Sequence, residues 1–169
     1  MKLNHIKQYI LKCESKKKLD FIKEVFETCE MTQTFIFVNN KDFAEIIHKK
    51  LREAGLKSFI MFSKMSKEER DSTIEKFRNQ EINVLITTNL IARGIDVPEV
   101  ELVINYDVPL KKINNQTCGD PETYLHRIGR TGRFGKTGIA LTIWDRESDK
   151  ENLDEIIKYY DMGSMMNDL

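Results

Sequence analysis

The sequence predicts an α/β fold in which a parallel sheet of five or more strands carries helices on both faces. Short apolar runs rich in β-forming residues alternate with helix-length amphipathic segments, which is the pattern of consecutive strand–helix units. Apolar residues fill the short runs without alternating with polar ones, as expected for strands covered on both faces. A chain of 169 residues fits one such domain and is long enough to bury a substantial core.

The predicted elements follow one another from the amino to the carboxyl end. The strands are Thr34–Val38, Ser58–Phe62, Val84–Thr87, Leu102–Tyr106 and Ile139–Trp144. The helices are Lys16–Cys29, Lys41–Ala54, Ser66–Asn79, Glu122–Arg130 and Lys150–Tyr160. Gly55 ends the second helix, and Ser66 with Glu69 forms a capping box that opens the third. Lys111–Asp120 is the one polar stretch long enough to be a flexible loop.

Charge and cysteine content exclude several classes of protein. The 27 basic residues balance the 27 acidic ones, so bulk charge does not indicate a nucleic-acid binder. The three cysteines form no C-x-x-C pair, which predicts reduced thiols of the cytosol or nucleus and neither a metal site nor a disulfide framework. No apolar run approaches transmembrane length, and the polar start at Met1 is unlike a signal peptide, so we expect no membrane contact.

The most informative segment is the octapeptide His126–Arg133, which reads His-Arg-Ile-Gly-Arg-Thr-Gly-Arg. Its three arginines recur every third residue, on one face of a helix that ends at the glycines. Planar guanidinium groups bind phosphate oxygens bidentately, so the cluster suits a triphosphate undergoing hydrolysis. The alternative is a solvated basic helix end, which the helix dipole favours. Between Thr123 and Gly138 there are four positive residues and no acid, as a phosphate site requires.

Polar residues also follow the predicted strands directly. Asn39-Asn40, Ser63-Lys64 and the segment Thr88–Asp96 stand at the carboxyl ends of three strands, where open parallel sheets bind ligands. Each alone is an ordinary turn or helix cap. Together they form a row of short polar groups and helix amides that suits a sugar–phosphate backbone.

These segments resemble motifs of the DEAD-box RNA helicases, superfamily 2 enzymes built from two RecA-like domains. The octapeptide is similar to their motif VI, Thr87–Asp96 to motif V and Phe35–Asn40 to motif IV. The resemblance runs from about Ile6 to about Tyr160 in the family's order. All three motifs belong to the second domain. The resemblance therefore implies that residues 1–169 are a single helicase C-terminal RecA-like domain, with a core at about 6–160, a tail at 161–169 and the N-terminal RecA-like ATPase domain absent.

The resemblance implies a role for each matching residue. Arg130 and Arg133 match the catalytic arginine fingers that reach the γ-phosphate of ATP. Asp96 matches the carboxylate that binds the ribose, and Gly94 would allow close backbone approach at the nucleotide. His126 and Arg127 match interdomain contacts to the acidic Walker B motif. The implied RNA-binding residues are Asn39, Asn40, Ser63, Lys64, Thr88, Arg93 and Gly94.

ATP and Mg²⁺ would be held mainly by the absent first domain. Gly135-Lys136-Thr137 resembles the end of a phosphate-binding P-loop, but Arg130 occupies the position where that loop requires glycine. The chain also contains no D-E-x-D sequence to bind magnesium. The isolated domain is therefore expected to be inactive.

One further resemblance points to a subfamily. Between Tyr106-Asp107-Val108-Pro109 and motif VI the chain has a long insert ending in Asp120–Leu125, as in the nuclear-pore mRNA-export DEAD-box helicases. That resemblance implies a Gle1-type activator with inositol hexakisphosphate, and a cytoplasmic or nuclear location at the pore. On the RNA side the chain departs from the common family pattern, with Ser63 in place of glycine and Asn40 in place of threonine.

Other functions stay open at this point. A stand-alone, non-catalytic RecA-like module could bind RNA or an activator without joining an ATPase. A superfamily 2 branch that acts on DNA is less favoured, because its motif VI usually opens with glutamine whereas His126 stands here. A monomer is the expected state for this fold.

Overall fold

The computed structural model describes residues 3, 5–29, 33–88, 98–132, 136–161, 163 and 166–169. The strands in these ranges are β1 Ile6–Lys12, β2 Thr34–Phe37, β3 Ser58–Met61, β4 Val84–Thr87, β5 Leu102–Asn105, β6 Leu110–Ile113, β7 Gln116–Gly119, β8 Gly138–Trp144 and β9 Met166–Asp168. Seven of these strands form one sheet in the order β3-β4-β2-β5-β8-β1-β9, and every neighbouring pair is parallel. The helices are α1 Lys18–Thr28, α2 Lys41–Glu53, α3 Lys67–Arg78, α4 Pro121–Ile128 and α5 Glu147–Tyr159, with a short 3₁₀ turn, Ser15–Lys17, before α1.

The helices cover both faces of the sheet. On one face, α1 and α2 pack against β2 and β5, where Ile22 and Ile47 contact the apolar cluster around Ile104. On the other, α3 places Phe77 against Phe35, while α4 and α5 pack against β1 and β8. Adjacent residues of one strand point to opposite faces, so the two layers share every central strand. The predicted α/β sheet with helices on both faces is confirmed.

Local sequence signals set the helix ends. The capping box of α3 is formed as predicted, because the Glu69 backbone N–H donates to Ser66 Oγ at 3.1 Å and the Ser66 N–H donates to Glu69 Oε2 at 3.3 Å. Gly55, after α2, has a φ of +84°, which glycine adopts without strain. Helix α5 begins at Glu147 instead of Lys150, because the Asp149 carboxylate accepts the N–H of Arg146 at 3.0 Å and stabilises an earlier start.

The structure corrects the predicted flexible loop. Residues within Lys111–Asp120 form most of an antiparallel hairpin, β6–β7. Its two turn residues, Asn114 and Asn115, have φ values of 50° and 64°, as the two-residue turns that suit hairpins require. Asparagine tolerates this left-handed conformation better than most residues, and the prediction did not weigh that signal.

The hairpin rests against α5 through Gly119. A Cβ at this position would overlap the carbonyl oxygen of Asn152 and lie 2.9 Å from Cγ1 of Ile156. We therefore expect Gly119→Ala to lower the free energy of unfolding by about 1–3 kcal/mol, as overpacking does. Urea unfolding of the chain measures the loss. Gly163→Ala is the matched control, because no heavy atom of the described residues beyond its chain neighbours lies within 4 Å of a Cβ there. Equal stability of the two variants would contradict the close approach.

No helix in the described ranges combines the length and the apolar character needed to cross a bilayer. In the same part of the chain, no three His, Cys, Asp or Glu side chains come together as a metal site.

Candidate functional site

The parallel register brings the predicted polar row to one edge of the sheet. Phe37, near the end of β2, pairs with both Thr87 of β4 and Asn105 of β5, and Met61 of β3 also pairs with Thr87. The residues that follow these strands therefore lie side by side at what we call the carboxyl edge: Asn39, Asn40, Ser63, Lys64, Thr88 and Asp107. Ser63 and Lys64 are exposed, whereas Thr88 is half-buried.

The two asparagines at this edge have local structural roles. Asn40 caps α2, because its Oδ1 accepts the N–H of Asp42 at 2.7 Å. Asn39 connects two strand ends: its N–H donates to Asp107 Oδ2 at 2.8 Å, and its Nδ2 donates to the Val108 carbonyl at 2.8 Å. Both asparagine side chains that are predicted to bind RNA thus already form hydrogen bonds within the domain.

Arg127 is the centre of the polar contacts at this edge. Arg127 belongs to the helix α4, and its charged side chain is fully buried. Nη1 donates to Asn105 Oδ1 at 3.2 Å and to the Asp107 carbonyl at 3.0 Å, and Nη2 donates to Asn39 Oδ1 at 2.9 Å. Burial lowers the pKa of Arg127 to about 10, an effect that Asp107 and Asp120 oppose, so the guanidinium stays charged at neutral pH.

The interdomain role predicted for Arg127 stays a prediction. In this domain its side chain has 0% exposure, and its fork is occupied by acceptors of its own domain. Burying a guanidinium is costly unless hydrogen bonds and opposite charge compensate it, which explains the convergence of these acceptors. His126, one residue earlier, is partly exposed, and its interdomain role remains a prediction.

The end of motif VI, after helix α4, lies beside the residues that precede β5. The Arg130 carbonyl accepts the N–H of Val100 at 3.0 Å, and Thr131 Oγ1 donates to the Val100 carbonyl at 2.5 Å, so this segment lies beside the entry to β5. Arg130 is half-buried, and its Nε donates to the His126 carbonyl at 3.2 Å. Gly132 has a φ of +73°, whereas Gly129, at −67°, adopts an ordinary helical φ. Of the two predicted turn glycines, only Gly132 requires the freedom of glycine.

Several predicted site residues cannot be placed. Arg93, Gly94, Asp96 and Arg133 lie outside the described residues. Their roles at the ribose, the RNA and the γ-phosphate stay predictions.

Sequence reasoning missed Lys18, the first residue of α1. It is only 5% exposed, and its Nζ donates to the Tyr106 carbonyl at 2.9 Å. The same Nζ lies 3.9 Å from Asp107 Oδ1. Nζ also lies 4.8 Å from the ring centroid of Tyr106, whose pKa is raised to about 12, chiefly by burial and then by Asp107. Lys18 follows two other lysines, and the available signal was its spacing of four residues from the buried Ile22, which places both on one helix face.

A second buried polar chain links β1 to the same centre. Tyr124 Oη donates to Gln8 Oε1 at 2.8 Å, and Asn105 Nδ2 donates to Thr142 Oγ1 at 3.1 Å. All four residues are fully buried. The first bond joins α4 to β1, and the second joins β8 to Asn105 of β5, the residue that also accepts from Arg127.

Comparison with known proteins agrees with this architecture. The family model described as the helicase conserved C-terminal domain matches residues 17–135. The ATP-dependent RNA helicase Dbp5 of Meyerozyma guilliermondii is 38% identical over 161 residues, which are 95% of this chain and 33% of that protein. A probable eukaryotic initiation factor 4A of Trypanosoma cruzi is 39% identical over 158 residues, covering 94% of this chain and 37% of its own length. The chain thus spans about a third of the length of the curated relatives it matches.

Three solved structures are similar over nearly the whole chain. The C-terminal domain of the DEAD-box protein Dbp5 has a TM-score of 0.88 and 37% identity, with 99% of this chain and 91% of that one covered. Saccharomyces cerevisiae Dbp5 bound to RNA and ADP BeF3 has a TM-score of 0.85 and 38% identity, with 98% and 42% covered. A variant of the same protein bound to Nup159, Gle1, IP6 and ADP has a TM-score of 0.88 and 34% identity, with 100% and 43% covered. The chain therefore belongs to the helicase conserved C-terminal domain family and is similar to the second RecA-like domain of Dbp5-type DEAD-box RNA helicases.

Proposed function

We propose that this chain is the second RecA-like domain of an ATP-dependent RNA helicase that unwinds RNA or remodels RNA–protein complexes in mRNA export. One observation carries the proposal. The motif VI helix, α4, is held at the carboxyl edge by the hydrogen bonds of Arg127, and Arg130 follows directly after the end of this helix. The similarity to Dbp5 over nearly the whole chain supports it.

On the nucleotide side, Arg130 and Arg133 act as arginine fingers. Charge spreads over the phosphoryl oxygens during transfer, and fixed guanidinium groups stabilise it. Asp96 binds the ribose, and Gly94 allows the backbone to approach the nucleotide closely. ATP and Mg²⁺ are held mainly by the N-terminal RecA-like domain in cis, because this sequence has neither a P-loop nor a D-E-x-D box.

On the RNA side, the carboxyl edge follows the strand through its sugar–phosphate backbone and 2′-hydroxyls. Ser63 and Lys64 are exposed at this edge, and Thr88 begins the segment that carries Arg93 and Gly94. Asn39 and Asn40 are exposed residues whose side-chain oxygens already accept bonds within the domain. We therefore assign their RNA contacts to the polar groups of Asn39 and Asn40 that these hydrogen bonds do not occupy.

Closure of the two domains then brings the fingers to the γ-phosphate and bends the bound RNA. The solved Dbp5 complexes with RNA and ADP BeF3, and with Nup159, Gle1, IP6 and ADP, support a location at the nuclear pore and an inositol phosphate-dependent activator of the Gle1 type for this helicase too.

The test is RNA-stimulated ATP hydrolysis by this chain alone and joined in cis to the N-terminal RecA-like domain of a DEAD-box helicase. We expect no turnover from either domain alone and RNA-stimulated turnover from the joined protein, because the γ-phosphate site is complete only between the domains. DNA of the same sequence is the control, since it lacks the 2′-hydroxyl. A joined, folded protein that binds RNA without hydrolysing ATP would instead support the stand-alone binding module.

A further inference from the structure

The burial of Lys18 sets it apart from its neighbours. Three consecutive lysines precede and begin α1, yet the side chain of Lys16 is 79% exposed and Lys17 is exposed as well. Lysine is almost never buried without partners, and a cation at the first turn of a helix opposes the helix dipole. Neither solubility nor helix formation therefore explains why an ammonium group occupies this position.

The contacts of Lys18 explain why a charged side chain is buried at this position. Its Nζ donates to the Tyr106 carbonyl, and the next carbonyl along the chain, that of Asp107, accepts from Arg127. Lys18 comes from α1 on one face of the sheet, whereas Arg127 comes from α4 on the other. Two buried cations thus hold adjacent carbonyls of the turn that follows β5, one from each helical layer.

The Asp107 carboxylate joins this turn to the RNA-side residues. Its Oδ1 lies 3.9 Å from Lys18 Nζ, and its Oδ2 accepts the N–H of Asn39. Asn39 in turn accepts from Arg127 through its side-chain oxygen. A displacement of the turn after β5 therefore moves Asn39 and the Arg127 fork together, and Arg127 lies only three residues before Arg130.

We propose that Lys18, with Asp107, is a positioning residue for the carboxyl edge: it fixes the turn on which both Arg127 and Asn39 depend, and so sets the direction in which α4 presents Arg130. This inference rests on the function proposed above. Lys18 acts through these residues, because its buried Nζ is engaged by the Tyr106 carbonyl.

The experiment compares Lys18→Met with the matched control Lys17→Met in the joined two-domain helicase. Methionine keeps much of the side-chain length and removes the charge and the donors. We expect Lys18→Met to lower the RNA-stimulated kcat per folded molecule by roughly ten- to a hundredfold, as small misplacements of a reacting group do, and Lys17→Met to keep wild-type kcat. The KM for RNA and the unfolding midpoint are measured on the same samples, because a merely structural role lowers the midpoint and leaves kcat of the folded fraction unchanged.

A second variant covers the case in which Lys18→Met does not fold. Asp107→Asn keeps an oxygen that accepts the Asn39 N–H but removes the charge beside Lys18, so we expect a smaller loss of kcat in the same direction. In the double variant the two losses should be less than additive, because both act through one turn. Additive losses, or wild-type kcat in folded Lys18→Met or Asp107→Asn, would overturn the positioning role alone. Absence of ATPase activity in the wild-type joined protein would instead overturn the proposed function on which it rests.

Discussion

Replacing Arg130 with alanine is expected to lower RNA-stimulated ATP hydrolysis by the joined two-domain helicase by about a thousandfold or more. An arginine finger contributes that much because its guanidinium meets charge that develops only in the transition state. Steady-state ATPase assays at saturating RNA measure the loss. RNA binding in the presence of a non-hydrolysable ATP analogue should change far less, since those predicted RNA-binding residues that the structure describes lie at the carboxyl edge and the Arg130 backbone lies beside Val100.

The same substitution should leave the domain folded. The bonds that fix this segment use the backbone of Arg130 and the hydroxyl of Thr131, which alanine at position 130 does not remove. Alanine removes the bond from Nε to the His126 carbonyl, and a single hydrogen bond of this kind contributes about 1 kcal/mol. Lys136→Ala, at an exposed base six residues later, is the matched control for lost positive charge. Wild-type turnover by Arg130→Ala would remove it from the catalytic residues.

The central part of the fold was predictable because its signals are local. The predicted strands that became β2, β3, β4, β5 and β8 all agree with the structure to within one residue, since runs such as Thr34–Phe37 are apolar on both faces. The strand β1 was missed because Lys7 and Gln8 interrupt its apolar residues. Gln8 is nevertheless fully buried, where its Oε1 accepts from Tyr124, and no sequence pattern reveals that long-range bond.

The edge strand β9 was missed for a related reason. Met166–Asp168 is short and polar, and we placed it in a tail outside the core. It becomes a strand because β1 offers it an unpaired edge, where Gln8 pairs with Met166 and the Leu169 N–H donates to the Ile10 carbonyl. Such pairing depends on which strand ends the sheet, and that is a property of the topology.

The site shows the same division between local and long-range information. The positions of Asn39, Ser63 and Thr88 along one edge followed from strand order alone. The octapeptide also identified α4, but its regular spacing treats the three arginines alike. The structure describes two of them and distinguishes these two: Arg127 is buried, whereas Arg130 is half-buried. Burial of that kind depends on Asn105 at the end of β5 and Asn39 after β2, which lie 22 and 88 residues away in sequence.

Arg127→Ala is expected to lower the free energy of unfolding of the chain by about 3–5 kcal/mol, the usual loss when one partner of a buried charged network is removed. Asn105 Oδ1, Asn39 Oδ1 and the Asp107 carbonyl would all lose the same donor, and the Asp107 charge would lose its nearest buried guanidinium. The Phe37 ring, 5.2 Å from the guanidinium carbon, would also face the space left behind. Domains of this size have only about 5–15 kcal/mol of net stability, so the variant should unfold at a much lower urea concentration.

Arg127→Lys separates charge from geometry in this network. An ammonium group keeps the charge but replaces a planar fork that reaches acceptors in several directions, so we expect a loss intermediate between wild type and alanine. Arg52→Ala is the matched control, because Arg52 is exposed in the last turn of α2 and a surface substitution there should change stability by no more than about 0.5 kcal/mol. If Arg127→Ala unfolded at the same urea concentration as Arg52→Ala, the buried contacts of Arg127 would contribute nothing net. Its role would then have to lie outside this domain, as the family resemblance alone had implied.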